Sequence, residues 1–267
     1  MRQILFASII VMAAILAVGC QNKPTVEGDQ ANANRSVASA SPTSSNLTTV
    51  TITSPDGVNL VGSFYPAPNP HSPGLLLLHQ WQSDRHSFDE FAKQMQAKGF
   101  AVLSIDGRGF GESTKKADGT TIAAGRTDAD VRGMLGDVDA AFNYLSNQPN
   151  VDPKRIGIVG ASYGSSLAII YAADHHSVAS VALLSPGLNY FGNMATEPAI
   201  KKYGDRRLYM TAARDDQESA DAVDKLAAAG NNPKYASKVH EKGGHGTALF
   251  KVGLADDLEE FFTKNSK

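Results

Sequence analysis

The chain has 267 residues, 42% hydrophobic and 19% charged, which is enough apolar material for a large core and excludes a mostly disordered chain. Lys and Arg total 25 against 27 Asp and Glu, and no basic block is present, which argues against nucleic acid as a partner. A single Cys excludes an internal disulfide and a Cys-rich zinc site.

The first 19 residues have the pattern of an export signal. Arg2 supplies a positive charge, and Ile4 to Val18 is apolar except for Ser8. A membrane-spanning helix needs about 20 apolar residues, so this run is short for a permanent anchor. We therefore expect residues 1–19 to be a signal peptide, with a signal anchor as the alternative.

The end of this apolar run resembles the lipobox of bacterial lipoproteins. Leu16-Ala17-Val18-Gly19 precedes Cys20, the only Cys of the chain. That family prefers Leu three residues before the Cys, where this chain has Ala17. The resemblance implies lipidation of Cys20 and an exported lipoprotein, anchored to a membrane and facing the periplasm or the cell exterior. The alternative is a plain signal peptide with an incidental Cys.

Residues 20–47 are predicted to form a disordered tether. From Gln21 to about Leu47 the chain is rich in Asn, Ala, Ser and Thr, with few large apolar residues and no periodicity. Such a segment has no face to bury. We therefore expect one folded domain over residues 48–267.

Strands and helices alternate along this domain. Residues 49–53 and 59–65 predict two antiparallel strands around the turn Ser54-Pro55-Asp56-Gly57. The alternation that follows predicts an α/β fold with a mostly parallel sheet and helices on both faces. The further predicted strands are 74–79, 100–105, 155–159, 178–184, 208–212 and 236–240, and the predicted helices lie near 88–95, 127–145, 165–173, 219–229 and 254–262.

One motif carries chemistry. Gly160-Ala161-Ser162-Tyr163-Gly164 matches G-x-S-x-G between a predicted strand and a predicted helix. A serine on such a sharp turn needs flanking glycines, because Cβ atoms there would collide with the neighbouring strand and helix. A neutral hydroxyl is a poor nucleophile, so an imidazole must accept its proton and a carboxylate must orient that imidazole.

When a serine lies on such a strand-to-helix turn, the acid and then the histidine follow it along the chain. This order limits which residues can be the partners of Ser162. His245 lies in Gly243-Gly244-His245-Gly246, after the last predicted strand and at the same sheet edge, and is the predicted base. The acid is expected in the loop after the strand 208–212. Two adjacent carboxylates, Asp215 and Asp216, are available there.

These motifs, in order from Leu75 to Gly246, resemble the α/β-hydrolase superfamily, most closely its dienelactone hydrolase-like and small serine esterase branches. The resemblance implies an α/β-hydrolase fold. A cap domain is not expected, because only about twenty residues separate Pro186 from Arg207. The stretch from Asp106 to Ser113 looks like the D-x-R-G-x-G-x-S turn of the family, which implies a structural role with Arg108 paired to a carboxylate.

The resemblance also assigns roles at the site. Hydrolases of this family follow the acid-bearing strand with a Gly-x-x-Asp turn, and aligning Ala213 with that glycine favours Asp216 over Asp215. An oxyanion needs two N–H donors, which would be the backbone amides of Tyr163 and Trp81. The family commonly has His-Gly at the place of His79-Gln80.

The leading hypothesis is a serine hydrolase that cleaves carboxylic esters or thioesters of small molecules through an acyl-enzyme intermediate. Its triad would be Ser162, Asp216 and His245, with no metal and no organic cofactor. One alternative is a peptidase that uses the same triad. The other is a membrane-tethered, non-catalytic binding module that keeps the hydrolase fold.

Overall fold

The computed structural model describes residues 47–264. The predicted signal peptide, the predicted lipidation site Cys20 and the tether up to residue 46 lie outside the described residues. Within 47–264, no helix is long and apolar enough to cross a bilayer.

A single sheet of nine strands organises the described part of the chain, and a two-stranded hairpin lies apart from it. The hairpin consists of β8 and β9. In chain order the strands are β1 (Thr48–Thr53), β2 (Val58–Tyr65), β3 (Ser72–Leu78), β4 (Ala101–Ile105), β5 (Lys115–Lys116), β6 (Val151–Ala161), β7 (Val178–Leu184), β8 (Asn189–Tyr190), β9 (Met194–Ala195), β10 (Arg207–Ala213) and β11 (Tyr235–His240).

The sheet is antiparallel at its start and parallel thereafter, as the sequence predicts. Its strand order is β1-β2-β4-β3-β6-β7-β10-β11, with β5 beside β2. β2 pairs antiparallel with β1 and β4, whereas every pair from β4 to β11 is parallel. The carboxyl ends of β3, β6 and β10 therefore meet at one edge, where polar loops can converge.

Helices cover both faces because side chains alternate along the buried strands. Leu76 and Leu78 of β3 pack with the helices of one face, and Leu75 and Leu77 with those of the other. The first face is covered by α2 (Asp128–Ser146), α3 (Tyr163–Asp174), α4 (Thr196–Tyr203) and α5 (Gln217–Gly230), and the second by α1 (Asp89–Ala97) and α6 (Leu254–Thr263).

The segment between β7 and β10 differs most from the sequence prediction, which leaves residues 187–203 as a loop. It contains the β8–β9 hairpin and α4, a helix of eight residues. A cap domain does not fit in so short a segment, as expected. The described chain also forms a 3-10 turn at Gly246–Val252, and α3 begins at Tyr163, two residues before its predicted start.

Candidate active site

Ser162 lies on the turn that joins β6 to α3. Its φ of 55° and ψ of −123° place it in a left-handed backbone conformation that non-glycine residues rarely adopt. Its N–H donates to the carbonyl of Leu184 at 2.8 Å, and the residue is only 5% exposed. The neighbouring strand therefore fixes the backbone that carries the hydroxyl.

The two glycines of this turn are required by close backbone contacts. A Cβ at Gly160 would lie 2.1 Å from the carbonyl oxygen of Gly164. A Cβ at Gly164 would lie 2.6 Å from the carbonyl oxygen of Leu78. Both distances are far below van der Waals contact, so the turn closes only when these side chains are absent.

The structure brings Asp216 to the imidazole of His245. Nδ1 of His245 lies 2.7 Å from Oδ2 of Asp216, which directly precedes α5. Burial raises the pKa of Asp216, but hydrogen bonds from His245, Ser219 and Ser185 outweigh it and bring that pKa below its ordinary value. An ionised carboxylate only accepts, so the Nδ1 of His245 carries the proton of this hydrogen bond.

Asp215 has a different position. Its carboxylate accepts hydrogen bonds from the N–H of Gly243 at 3.1 Å and of Gly244 at 3.0 Å. These bonds hold the pKa of Asp215 below its usual value. Of the two adjacent carboxylates, Asp216 thus contacts the imidazole, whereas Asp215 fixes the backbone just before His245.

The residues after His245 pack against the turn that carries Ser162. The N–H of Gly246 donates to Oγ of Ser185 at 2.9 Å. A Cβ at Gly246 would stand 3.6 Å from the Cβ of Ala161. The histidine loop therefore lies directly beside the serine turn.

Gln80 joins this loop to the loop after β3. Its Oε1 accepts from the N–H of Thr247 at 3.1 Å and from the Thr247 hydroxyl at 3.0 Å. The two residues are 167 positions apart, and no spacing rule in the sequence connects them. The glycine common in the family at this place has no side chain with which to make such a contact.

The two amides predicted to form the oxyanion hole are available. Tyr163 is the first residue of α3, so its N–H has no acceptor inside the helix. Trp81 lies in the turn after β3, and among residues 47–264 its N–H has no hydrogen-bond acceptor. Within residues 47–264 neither N–H donates to a backbone acceptor, so the oxyanion role of both stays a prediction.

His79 is buried beneath these loops and is fully engaged. Its Nε2 accepts from the N–H of Gly107 at 2.9 Å, and its Nδ1 donates to the carbonyl of Gln80 at 2.7 Å. Burial lowers the pKa of His79, which keeps the ring neutral. This histidine connects the loops after β3 and β4 and has no nitrogen left for proton transfer.

The turn after β4 has the structural role that the sequence predicts. Arg108 makes a bidentate pair with Asp137, both contacts at 2.7 Å, and also binds Asp56. The carboxylate of Asp106 accepts from the backbone N–H of Arg85 and of Glu112 and is paired with the Arg85 guanidinium. These ion pairs fix the loop after β4.

Aromatic rings cluster around Trp81, a feature that the sequence analysis missed. The Trp81 ring meets Phe110 and Phe191 with centroids 4.8 Å apart, and Tyr163 at 5.3 Å. The guanidinium carbon of Arg126 lies 4.8 Å from the Trp81 centroid and 5.0 Å from that of Phe191. Over residues 47–264 the structure contains no group of three His, Cys, Asp or Glu side chains placed to hold a metal ion.

Comparisons with known proteins agree with the predicted fold class. The model of the alpha/beta hydrolase fold family matches residues 73–246. An esterase from Pyrococcus furiosus has a TM-score of 0.68 at 21% identity, covering 83% of this chain and 91% of its own. A dienelactone hydrolase from Anabaena variabilis has a TM-score of 0.62 at 16% identity, covering 82% of this chain and 97% of its own.

Curated relatives match only part of the chain. Thiohydrolase aneE from Aspergillus aculeatus is 29% identical over 115 residues, which is 43% of this chain and 33% of that protein. The chain spans less than half the length of the curated relatives it matches.

Proposed function

The chain belongs to the α/β-hydrolase fold family, and we propose that it is a serine hydrolase that cleaves carboxylic esters or thioesters of small molecules. The observation that carries the proposal is the 2.7 Å contact between Asp216 and His245, in a loop packed against the strained turn of Ser162. A serine, an imidazole and an ionised carboxylate arranged in this order perform acyl transfer.

In the first half of the reaction, Oγ of Ser162 attacks the acyl carbon while Nε2 of His245 takes the hydroxyl proton. Asp216 stabilises the imidazolium that forms. The negative charge that develops on the acyl oxygen accepts hydrogen bonds from the N–H groups of Tyr163 and Trp81.

The tetrahedral intermediate then collapses to the acyl-enzyme. The bond to the leaving group breaks, and the departing alcohol or thiol takes the proton from His245. Water next attacks the acyl-enzyme, giving its proton to the same imidazole, and Ser162 leaves with that proton as the acid is released. No metal or organic cofactor takes part in these steps.

Ester and thioester cleavage share this chemistry, since only the leaving atom differs. Among the similar proteins, one is named an esterase and another a thiohydrolase, which supports a substrate range that includes both bonds.

The test is hydrolysis of a chain-length series of p-nitrophenyl esters and of one acyl thioester by the purified protein and by Ser162→Ala. We expect kcat to fall by about 10⁴ to 10⁶ in that variant. Ser166→Ala is the matched control, because it removes a buried hydroxyl of α3 that has no hydrogen-bond partner among residues 47–264.

Labelling with a fluorophosphonate probe gives a second readout, because the probe reacts only with an activated serine. Full activity in Ser162→Ala would reject the proposal. A parent protein with neither turnover nor labelling would reject it as well, and would favour the non-catalytic binding module.

We also propose that the domain is held at a membrane surface through lipid on Cys20, on the evidence of the sequence before that residue. Cys20→Ser is expected to move the protein from the membrane fraction to the soluble fraction of cells that express it. Retention in the membrane fraction would reject the lipid anchor.

A further inference from the structure

An arginine without a carboxylate partner lies at the rim of the candidate active site. Arg126 is exposed, and its guanidinium lies over the rings of Trp81 and Phe191. Among residues 47–264 no carboxylate forms an ion pair with it. Arg108, by comparison, is bound by two carboxylates. Arg126 is thus positioned by aromatic rings alone.

The backbone of Arg126 is held at fixed points. The next residue, Thr127, caps α2 in a reciprocal pair with Asp130, whose carboxylate accepts from the Thr127 N–H at 2.8 Å. Nδ2 of Asn193 donates to the carbonyl of Arg126 at 3.0 Å and to the carboxylate of Asp128 at 2.9 Å. Both nearby carboxylates of α2 therefore already have donors.

The guanidinium of Arg126 lies close to residues that the proposed reaction uses. Trp81 supplies one of the two proposed oxyanion amides, and its ring lies 5.3 Å from that of Tyr163, the residue after the serine. The first turn of α2 follows Arg126 directly and carries the carboxylates of Asp128 and Asp130. Attraction of an anionic substrate on this side therefore depends on the guanidinium of Arg126 itself.

A guanidinium held near aromatic rings by cation–π contact still has N–H groups for a planar oxyanion, which it binds in bidentate fashion. These contacts also restrict the side chain before any ligand arrives, so less conformational entropy is lost on binding. A neutral hydrocarbon group gains nothing from such a cation.

We infer that Arg126 recognises a carboxylate or phosphate that the substrate carries in addition to its scissile bond. The inference rests on the proposed hydrolase function and narrows its substrates to anionic esters or thioesters. The anionic group can belong to the acyl part or to the leaving group, and the two positions are separated by experiment.

Two matched pairs of esters test it. Mono-p-nitrophenyl glutarate against p-nitrophenyl valerate places the charge on the acyl group, and 4-acetoxybenzoate against its methyl ester places it on the leaving group. In Arg126→Gln, the ratio of kcat/KM for the anionic over the neutral ester should fall about five- to tenfold in at least one pair. Arg132→Gln, which removes the same charge from the exposed surface of α2, should leave both ratios unchanged.

Binding is measured without turnover through Trp81, the only tryptophan of the chain. Glutarate and phenyl phosphate are titrated against the parent, Ser162→Ala and Arg126→Gln, with glutaramide as the neutral control. A saturable change in tryptophan fluorescence is expected with at least one anion in the first two proteins and not in Arg126→Gln. The responding anion identifies the preferred group.

The two readouts separate the inference from the proposed function. Hydrolysis of neutral esters, with equal ratios in parent and Arg126→Gln and no fluorescence response, would overturn the inference and leave the hydrolase standing. An equal fall of the anionic-to-neutral ratio in Arg132→Gln would overturn it too, since the effect would then come from the overall charge of the protein. A parent that binds an anion without hydrolysing any ester would support anion recognition and reject the hydrolase, whereas neither activity nor response would overturn both.

Discussion

The serine and the histidine of the candidate site are held in opposite ways. Ser162 is 5% exposed and sits on a turn closed by backbone contacts of Gly160 and Gly164. The side chain of His245 is 43% exposed, and its position depends on its hydrogen bond to Asp216 and on hydrogen bonds that its loop donates to Asp215 and Gln80.

The serine turn and the histidine loop therefore tolerate different substitutions. The serine turn depends on the absence of atoms, so any added side chain must displace the backbone. The histidine loop depends on the presence of acceptors, so each lost acceptor weakens it by a limited amount. We therefore expect side chains added at the glycines of the serine turn to act on folding and changes around His245 to act on turnover.

Among changes on the histidine side, the largest effect is expected for Asp216→Asn. An amide in place of the carboxylate no longer stabilises the imidazolium, and it favours the wrong tautomer, so kcat should fall by about 10³ to 10⁴. Asp215→Asn is the matched control, because its amide oxygen still accepts from the Gly243 and Gly244 N–H groups, and a loss of less than about tenfold is expected. Steady-state kinetics on one ester measure kcat for both variants. Equal losses would contradict the assignment of Asp216, rather than Asp215, as the partner of His245.

Gly160→Ala tests the serine side. Its Cβ would lie 2.1 Å from a carbonyl oxygen, so the free energy of unfolding should fall by about 3 kcal/mol or more. Gly136→Ala in α2 is the control, since its Cβ meets nothing closer than 3.8 Å and a gain of about 0.5 to 1 kcal/mol is expected. Urea denaturation measures both changes. A Gly160→Ala protein of parental stability would contradict the account of the serine turn.

Gln80→Leu removes the acceptor that joins the histidine loop to the loop after β3. With the N–H and hydroxyl of Thr247 unpaired, kcat should fall about tenfold with little change in stability. Gln80→Glu keeps an oxygen at this place and should restore most of the activity. If both variants lose activity equally, the hydrogen bond to Thr247 does not position the loop.

His79 extends the comparison to two histidines, because His79 is buried whereas His245 is exposed. Burial lowers its folded-state pKa below the value of about 6.5 in the unfolded chain, so the unfolded chain takes up the proton first as the pH falls. Stability should therefore decrease below about pH 6.5, by at most about 1.4 kcal/mol per pH unit from this group.

Denaturant titrations between pH 7 and pH 5 measure this slope. In His79→Gln the slope should be smaller, although the variant starts less stable at pH 7 because the contact with Gly107 changes. His176→Gln alters an exposed histidine and should keep the parental slope. An unchanged slope in His79→Gln would show that this ring does not control the acid response.

The sequence predicted those parts of the site that depend on backbone geometry. The glycines around Ser162 and the alternation of buried strands with helices are local patterns, and the fold follows from them. The choice between Asp215 and Asp216 was not decided by the residues alone, because both lie in one loop and a shift of one residue exchanges them. Only the tertiary placement of the His245 loop separates their contacts.

Contacts between distant loops leave no local pattern in the sequence. The hydrogen bonds from Thr247 to Gln80 and the cation–π contact of Arg126 with Trp81 join residues far apart in sequence, through side chains whose direction depends on the whole sheet edge. The hairpin and α4 were missed for a related reason. Two-residue strands carry too few positions to show a period.

The β8–β9 hairpin also offers an opening for protein engineering. At its tip, Gly192 has a φ of 79° and open space where a Cβ would stand, so added residues there meet no neighbour. Lengthening such a loop twofold costs only about 0.6 kcal/mol in closure entropy. Residues inserted at this point would lie next to Phe191, whose ring packs on Trp81. The same scaffold could then be diversified by loop libraries rather than by changes to its core.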